Sequence, residues 1–290
     1  MRGIWTALWT PTDEKGILLV DALKAHLNFL LDHGVDGFAV GGSTGQFPYL
    51  DLPTRQKLLH LVIEHVGPQR VLINISDINP ATVEAFAKSL KELPISSFML
   101  LPPFYFPFSQ TDIAHYFIHI AKIVKRPIFL YNFPECTRNK IELETVEKVC
   151  REVPCIGIKH SGADFEYLTP LIDLGKKHSF SIFIGSERRL LEGLTLGIDG
   201  AIGGLSNAIP ELLVTIYKAF QQNNLADAEA ATKKIQEIDS LLKQICFPLN
   251  ISALMEARNL TPGVIKEIIS PFTKKAYQEL ITALRPMISS

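Results

Sequence analysis

Apolar residues recur along this chain in two rhythms. Short runs are apolar at almost every position, and between them lie longer stretches in which apolar residues return every three or four places. Ile4-Trp5-Thr6-Ala7-Leu8-Trp9 is a run of the first kind and stops at Thr10-Pro11. Residues 20–33 are of the second kind, with Val20, Leu23, Leu27, Leu30 and Leu31 in helical period and Gly34 as the stop. Gly37-Phe38-Ala39-Val40 predicts the next strand, which opens into the loop Gly41-Gly42-Ser43-Thr44-Gly45. The alternation continues with helix 54–66, strand 70–75, helix 82–93, strand 97–101, helix 111–124 and strand 127–131. Helix 143–149, strand 155–159, helix 165–176, strand 181–185, helix 188–196 and strand 200–202 complete the series.

Eight strand–helix turns at nearly even spacing, with no proline- or serine-rich linker, predict an α/β fold of the (β/α)8 TIM-barrel type. An open doubly wound sheet is the rival. It would usually have fewer strands and, for a nucleotide, a phosphate loop; the 41–45 loop has neither the lysine of such a loop nor a full GxGxxG. From about Pro210 the strands cease, and helices are expected at 212–222, 227–245, 252–258 and 272–284, with Pro262-Gly263 and Pro271 as breakers. The expected organisation is therefore a barrel over 1–222 and a C-terminal helical extension of the same domain over 223–290.

Composition changes this picture mainly by exclusion. The chain has 290 residues, 47% of them hydrophobic, which is ample for one large core. A net charge of −1 without a basic stripe argues against nucleic acid and acidic membranes as partners. The apolar stretch at 98–108 is broken by Pro102, Pro103 and Pro107, so it does not read as a membrane span. The N-terminal segment is too short and polar for a signal peptide. Cys136, Cys150, Cys155 and Cys246 show no CxxC spacing, so reduced thiols in a cytoplasmic protein are expected, mostly as small buried hydrophobes.

In a barrel the carboxyl ends of the strands share one rim, where active sites are built. Cys155-Ile156-Gly157-Ile158-Lys159-His160-Ser161-Gly162 puts an amine where an apolar strand opens into a loop. An amine held partly out of water becomes a nucleophile near neutral pH. By itself such a lysine is more often explained by a stem lying on apolar surface with its head in water. The other strand ends supply Ser43 and Thr44 among glycines, Phe104-Tyr105-Phe106, Tyr131-Asn132-Phe133-Pro134, Gly185-Ser186-Glu187 and Ile202-Gly203-Gly204. An amine, phenols, hydroxyls and a nest of backbone N–H groups on one rim suit carbonyl chemistry on a keto acid. His115 and His119 have a metal-binding spacing, but no acid lies between them and their helix is expected on the barrel exterior. No cluster of metal ligands falls on the rim.

These residues resemble the dihydrodipicolinate synthase / N-acetylneuraminate lyase family of pyruvate-dependent class I aldolases. The likeness runs from Ala7-Leu8-Trp9-Thr10-Pro11 to the C-terminal helices. Gly42-Ser43-Thr44-Gly45 is similar to the family's GxTGE loop, Tyr131-Asn132-Phe133-Pro134 to its YNxP motif, and Gly157-Ile158-Lys159 to its Schiff-base lysine motif. The resemblance implies that Lys159 forms an imine with pyruvate or another 2-keto acid and that Tyr131 donates and accepts the proton. It implies that Ser43 relays protons, that Ser43 and Thr44 hold the keto-acid carboxylate, and that the Ile202 carbonyl lies near bound pyruvate. Tyr105 matches a relay tyrosine that family members lend to a neighbouring subunit, so a homotetramer or homodimer is implied, with no metal and no organic cofactor.

Three departures bear on the substrate. Dihydrodipicolinate synthases carry an arginine two residues after the YNxP proline; Cys136 stands there, with Arg138 two places further on. Sialic-acid lyases present an acidic pair after strand seven and a serine after strand eight; Glu187-Arg188 and Gly204 stand there. Gln46 occupies the place of the loop glutamate. What remains resembles the aldolases of 2-keto-3-deoxy sugar acids, which join or part pyruvate and an aldehyde. Dihydrodipicolinate synthesis, N-acetylneuraminate cleavage and a catalytically weak barrel that only binds a keto acid are the alternatives.

Overall fold

The computed structural model describes residues 1–288. Eight parallel strands close into one barrel in chain order: β1 (Gly3–Ala7), β2 (Gly37–Val40), β3 (Val71–Asn74), β4 (Phe98–Leu100), β5 (Ile128–Asn132), β6 (Cys155–His160), β7 (Ser181–Ile184) and β8 (Gly200–Gly203). Between and after them lie α1 (Val20–Asp32), α2 (Leu52–Val66), α3 (Pro80–Ser89), α4 (Gln110–Val124), α5 (Pro134–Thr137), α6 (Leu143–Glu152), α7 (Leu168–His178), α8 (Leu190–Leu196) and α9 (Pro210–Gln221). The chain ends in α10 (Leu225–Leu242), α11 (Leu249–Ala257) and α12 (Pro271–Ile288). The fold is the (β/α)8 barrel with C-terminal helices that the alternation predicts. The last two residues of the expected 223–290 extension lie outside the described residues.

Strand side chains alternate between two apolar layers, as the period of two requires. Trp5, Ala7, Ala39, Leu72, Met99, Phe129, Tyr131, Phe183 and Ile202 point into the barrel and fill it. Their neighbours Ile4, Phe38, Val40, Ile73, Leu100, Leu130, Ile158 and Ile184 point outward and pack under the helices in a cluster that also takes in Leu254 and Leu284 of α11 and α12.

Several boundaries differ from the sequence expectation for local reasons. β1 stops at Ala7 because the Trp9 N–H is taken by Asn207 Oδ1 at 2.9 Å instead of by the ladder. β6 runs one residue further, to His160, which still pairs with Asn132 and Ile184. α7 starts at Leu168 rather than 165, and the short α5 was not foreseen. The expectation of mostly buried thiols is corrected. Cys136 and Cys246 are exposed and Cys150 and Cys155 half-buried; Cys246 lies in the turn between α10 and α11. His115 and His119 lie on the exterior of α4, where His119 Nε2 donates to Glu84 Oε1 at 2.9 Å. Among the described residues no helix is long and apolar enough to cross a membrane.

Candidate active site

A parallel ladder without interruption would set Ile158, not Lys159, beside Tyr131. Ile128 pairs with Cys155, but Phe129 pairs with Gly157, so Ile156 is bulged out of the β5–β6 register. One extra residue turns every later side chain to the opposite face. The shift brings Lys159 level with Tyr131 and points both into the barrel mouth. Gly157 makes room for this geometry: a Cβ there would lie 2.2 Å from the Phe129 ring.

Lys159 and Tyr131 are both buried. Lys159 Nζ donates to the Tyr131 hydroxyl at 3.3 Å and lies 4.3 Å from the ring centroid. The Tyr131 hydroxyl is in turn 3.4 Å from Ser43 Oγ. The tyrosine ring stacks on Phe133 with centroids 5.9 Å apart, which limits its rotation. An amine, a phenol and an alcohol, brought in from β6, β5 and the turn after β2, thus form one chain of polar contacts.

Tyr131 and Lys159 open onto a cavity of about 340 Å3, whose wall also includes Thr44. Ser161, Gly185 and Glu187 continue the wall, and Arg188, Asp239 and Asn250 stand nearer solvent. Arg188 Nη1 meets Asp239 Oδ2 at 3.2 Å, and Lys243 reaches the same oxygen at 3.7 Å. Ile202 is buried among the side chains that fill the barrel. Tyr105 stands apart: it is 63% exposed, has a left-handed backbone with φ of 82°, and packs edge-on against Phe106. Ser43, Thr44, Tyr131 and Lys159 are therefore gathered at one place, and Tyr105 of the same chain is not among them.

Sequence reasoning passed over three residues that shape this cavity. Glu187 was placed on the rim and compared with an acidic pair but given no role, and its carboxyl is fully inside. Oε2 accepts from the Leu205 N–H at 2.6 Å and Oε1 from the Ser206 N–H at 3.0 Å. Burial pushes this carboxyl up to about 7, against the pull of those two bonds and of the Lys159 charge. Gly203 leaves the room it needs, since a Cβ there would lie 1.9 Å from the Glu187 carboxyl carbon. Ser161 is the second. Its Oγ fills the space beside Gly185, and its signal was its place two residues past Lys159. Asn250 is the third; it comes from a helix whose position no local pattern announces.

Residues flanking the motifs hold the rim together. Asn132 Oδ1 accepts from the Ile141 N–H at 3.0 Å, and its amide nitrogen lies 3.2 Å from His160 Nδ1. His160 Nε2 donates to the Asp164 carbonyl at 2.9 Å, and burial lowers its pKa, which suits the neutral ring this pairing requires. Cys136 and Arg138 are exposed, and neither lines the cavity, whose cationic side chains are Lys159 and Arg188. No group of three or more His, Cys, Asp or Glu is arranged to hold a metal ion among the described residues.

Residues 1–286 match the model of the dihydrodipicolinate synthetase family. An uncharacterised DapA-like lyase of Pyrococcus horikoshii is 29% identical over 292 residues, covering 100% of both chains. Among solved structures, YagE of E. coli K12, a prophage protein of the dihydrodipicolinic acid synthase family in complex with pyruvate, superposes with a TM-score of 0.91. It is 25% identical, with 99% of this chain and 98% of that one covered. A variant of the 2-keto-3-deoxygluconate aldolase of Sulfolobus solfataricus shares the fold, with a TM-score of 0.90 at 21% identity over 99% and 96% of the two chains.

Proposed function

The chain belongs to the dihydrodipicolinate synthetase family, and on that premise we propose that it is a Schiff-base lyase joining or parting pyruvate and a hydroxylated aldehyde. The observation that carries this reading is the buried Lys159 amine 3.3 Å from the Tyr131 hydroxyl, itself 3.4 Å from Ser43. Lys159 Nζ adds to C2 of a 2-keto acid, and water leaves to give the protonated imine. Tyr131 takes the proton of the C4 hydroxyl while its own proton passes to Ser43. The C3–C4 electron pair moves into the imine, which becomes an enamine as the aldehyde departs. A proton returned to C3 and addition of water then release pyruvate and the free amine. Ser43 and Thr44 orient the keto-acid carboxylate beside the Ile202 carbonyl, and Tyr105 completes the proton relay of a neighbouring copy in a homodimer or homotetramer.

Hydroxyl-bearing walls favour a 2-keto-3-deoxy sugar acid: Ser161, Asn250 and the Arg188–Asp239 pair offer donors and acceptors to an aldehyde chain. Dihydrodipicolinate synthesis fits less well, because the cation expected near position 136 is absent from the cavity and Arg138 is turned to solvent. Free thiols suit action in the cytoplasm.

Borohydride reduction in the presence of pyruvate tests the chemistry. A pyruvyl adduct on Lys159, located by peptide mapping, is expected in the wild type and absent from Lys159→Ala, whose circular dichroism is unchanged. Tyr131→Phe should still form the adduct but turn over at least about 10²-fold more slowly, the scale of one lost proton-transfer group. A folded wild-type sample that gives no adduct would overturn the proposal in favour of a barrel that binds without reacting.

A further inference from the structure

The turn that carries Ser43 and Thr44 ends at Gln46, whose backbone is left-handed with φ of 58°. That conformation is strained for a residue with a side chain and persists where its surroundings hold it. The turn's own backbone bonds are Gln46 N–H to Ser43 O at 3.0 Å and Phe47 N–H to Gly42 O at 3.4 Å. It presses closely on the chain after β1: a Cβ on Gly45 would lie 2.7 Å from Leu8 O and 3.0 Å from Thr10 Oγ1.

The hold on this turn comes from the segment between α11 and α12. The Gln46 amide is buried and used at both ends. Its Oε1 accepts from Lys266 Nζ at 2.8 Å, and its Nε2 donates to Glu267 Oε1 at 2.9 Å. Lys266 Nζ also donates to Thr10 O at 3.0 Å and lies 5.7 Å from the Trp9 ring centroid, so it ties the turn to the end of β1. Glu267 Oε2 is buried with no hydrogen-bond partner, leaving the bond to Gln46 as this carboxylate's hydrogen bond to the rest of the molecule. An amide fits between a lysine and a carboxylate because it accepts at one end and donates at the other. A glutamate at 46 would set two carboxylates at hydrogen-bond distance with no proton between them, so Gln46 is matched to Glu267 rather than being a lost charge.

We propose that Lys266 and Glu267 are positioning residues: through Gln46 they clamp the Ser43–Thr44 turn from the C-terminal segment and so set the grip on the keto-acid carboxylate. The functional half of this rests on the reading given above, in which that turn holds the carboxylate. The structural half is a property of the turn itself.

Two readouts on the full-length chain separate the halves. Hydrogen exchange of the peptide spanning residues 42–47 reports the turn, and the pyruvate concentration that half-saturates borohydride trapping reports the grip. In Lys266→Met, exchange in that peptide should quicken while peptides from β5 and β6 keep their protection. Half-saturating pyruvate should rise by about tenfold, the scale of one lost charge-assisted hydrogen bond. The effect should fall on half-saturation rather than on the limiting trapping rate, and Lys266→Arg should recover part of it. As a cycle that keeps the lysine, Gln46→Glu should weaken both readouts and Glu267→Gln added to it should restore them, because the new amide again donates to a carboxylate. Unchanged exchange at 42–47 in Lys266→Met overturns the clamp. Quickened exchange with unaltered half-saturation overturns its role in positioning. If the wild type itself traps no pyruvate, the reading of the site falls and the positioning role with it, while the exchange data still decide whether the clamp exists.

Discussion

At Glu187, burial and hydrogen bonding pull a single carboxyl in opposite directions, and burial wins. Its pKa stands at about 7 instead of 4.5 although two backbone N–H groups favour the anion. Because the folded value is raised above the unfolded one, the native state binds the proton more tightly. Its stabilising contribution is fully present below about pH 4.5 and is lost as pH rises to about 7. The difference in urea midpoint between wild type and Glu187→Gln should therefore narrow across that window and level off above it. A difference that stays flat from pH 4.5 to 7 would show that the carboxyl titrates normally. Lys159 and Tyr131 were legible in the sequence because each ends an apolar run. The burial of Glu187 was not, since it depends on Gly203 facing it across two strand ends.

The eight strands and their helices were legible at the scale of the element, because a period of two and a period of 3.6 leave different traces. The β6 bulge left none. Cys155-Ile156-Gly157 reads as ordinary strand, and the shifted register emerges only when Phe129 of β5 packs over Gly157. Gly157→Ala tests that account. The new methyl would collide with the Phe129 ring, and relief of such overpacking costs about 1–3 kcal/mol. Urea denaturation should show a loss of that order, with slower trapping of pyruvate as Lys159 shifts against Tyr131. A variant of unaltered stability would mean that the ring moves freely aside.

The barrel's interior filling and its coat of helices account for most of the apolar residues when the molecule is taken whole, but among the aromatics left in water three stand close together in the loop after β4. Tyr105 and Phe106 are 63% and 64% exposed, with Phe108 nearby at 41%. Clustered apolar side chains in water mark a surface for a partner, and on the proposed function, in which Tyr105 serves a neighbouring copy, that partner is a second chain. Sedimentation velocity should give a species larger than one chain, and Phe106→Ser should move it toward the monomer. A monomeric wild type would leave Tyr105 without a role. How the C-terminal segment returns to the mouth was the least legible part of the molecule. Lys266 lies 220 positions from Gln46, and nothing periodic connects them.

The pairing of Tyr131 with Lys159 is made by the backbone ladder of two neighbouring strands, whereas the outer wall of the cavity comes from the turn after β7 and from the C-terminal helices. Reactivity and appetite are thus written in separate parts of the chain. For protein engineering this makes the barrel a chassis with an exchangeable mouth. On the proposed function, transplanting the 186–188 turn together with the 239–250 stretch from a relative with different tastes should retune which aldehyde is accepted, and the Lys159–Tyr131 pair would come through the graft in register.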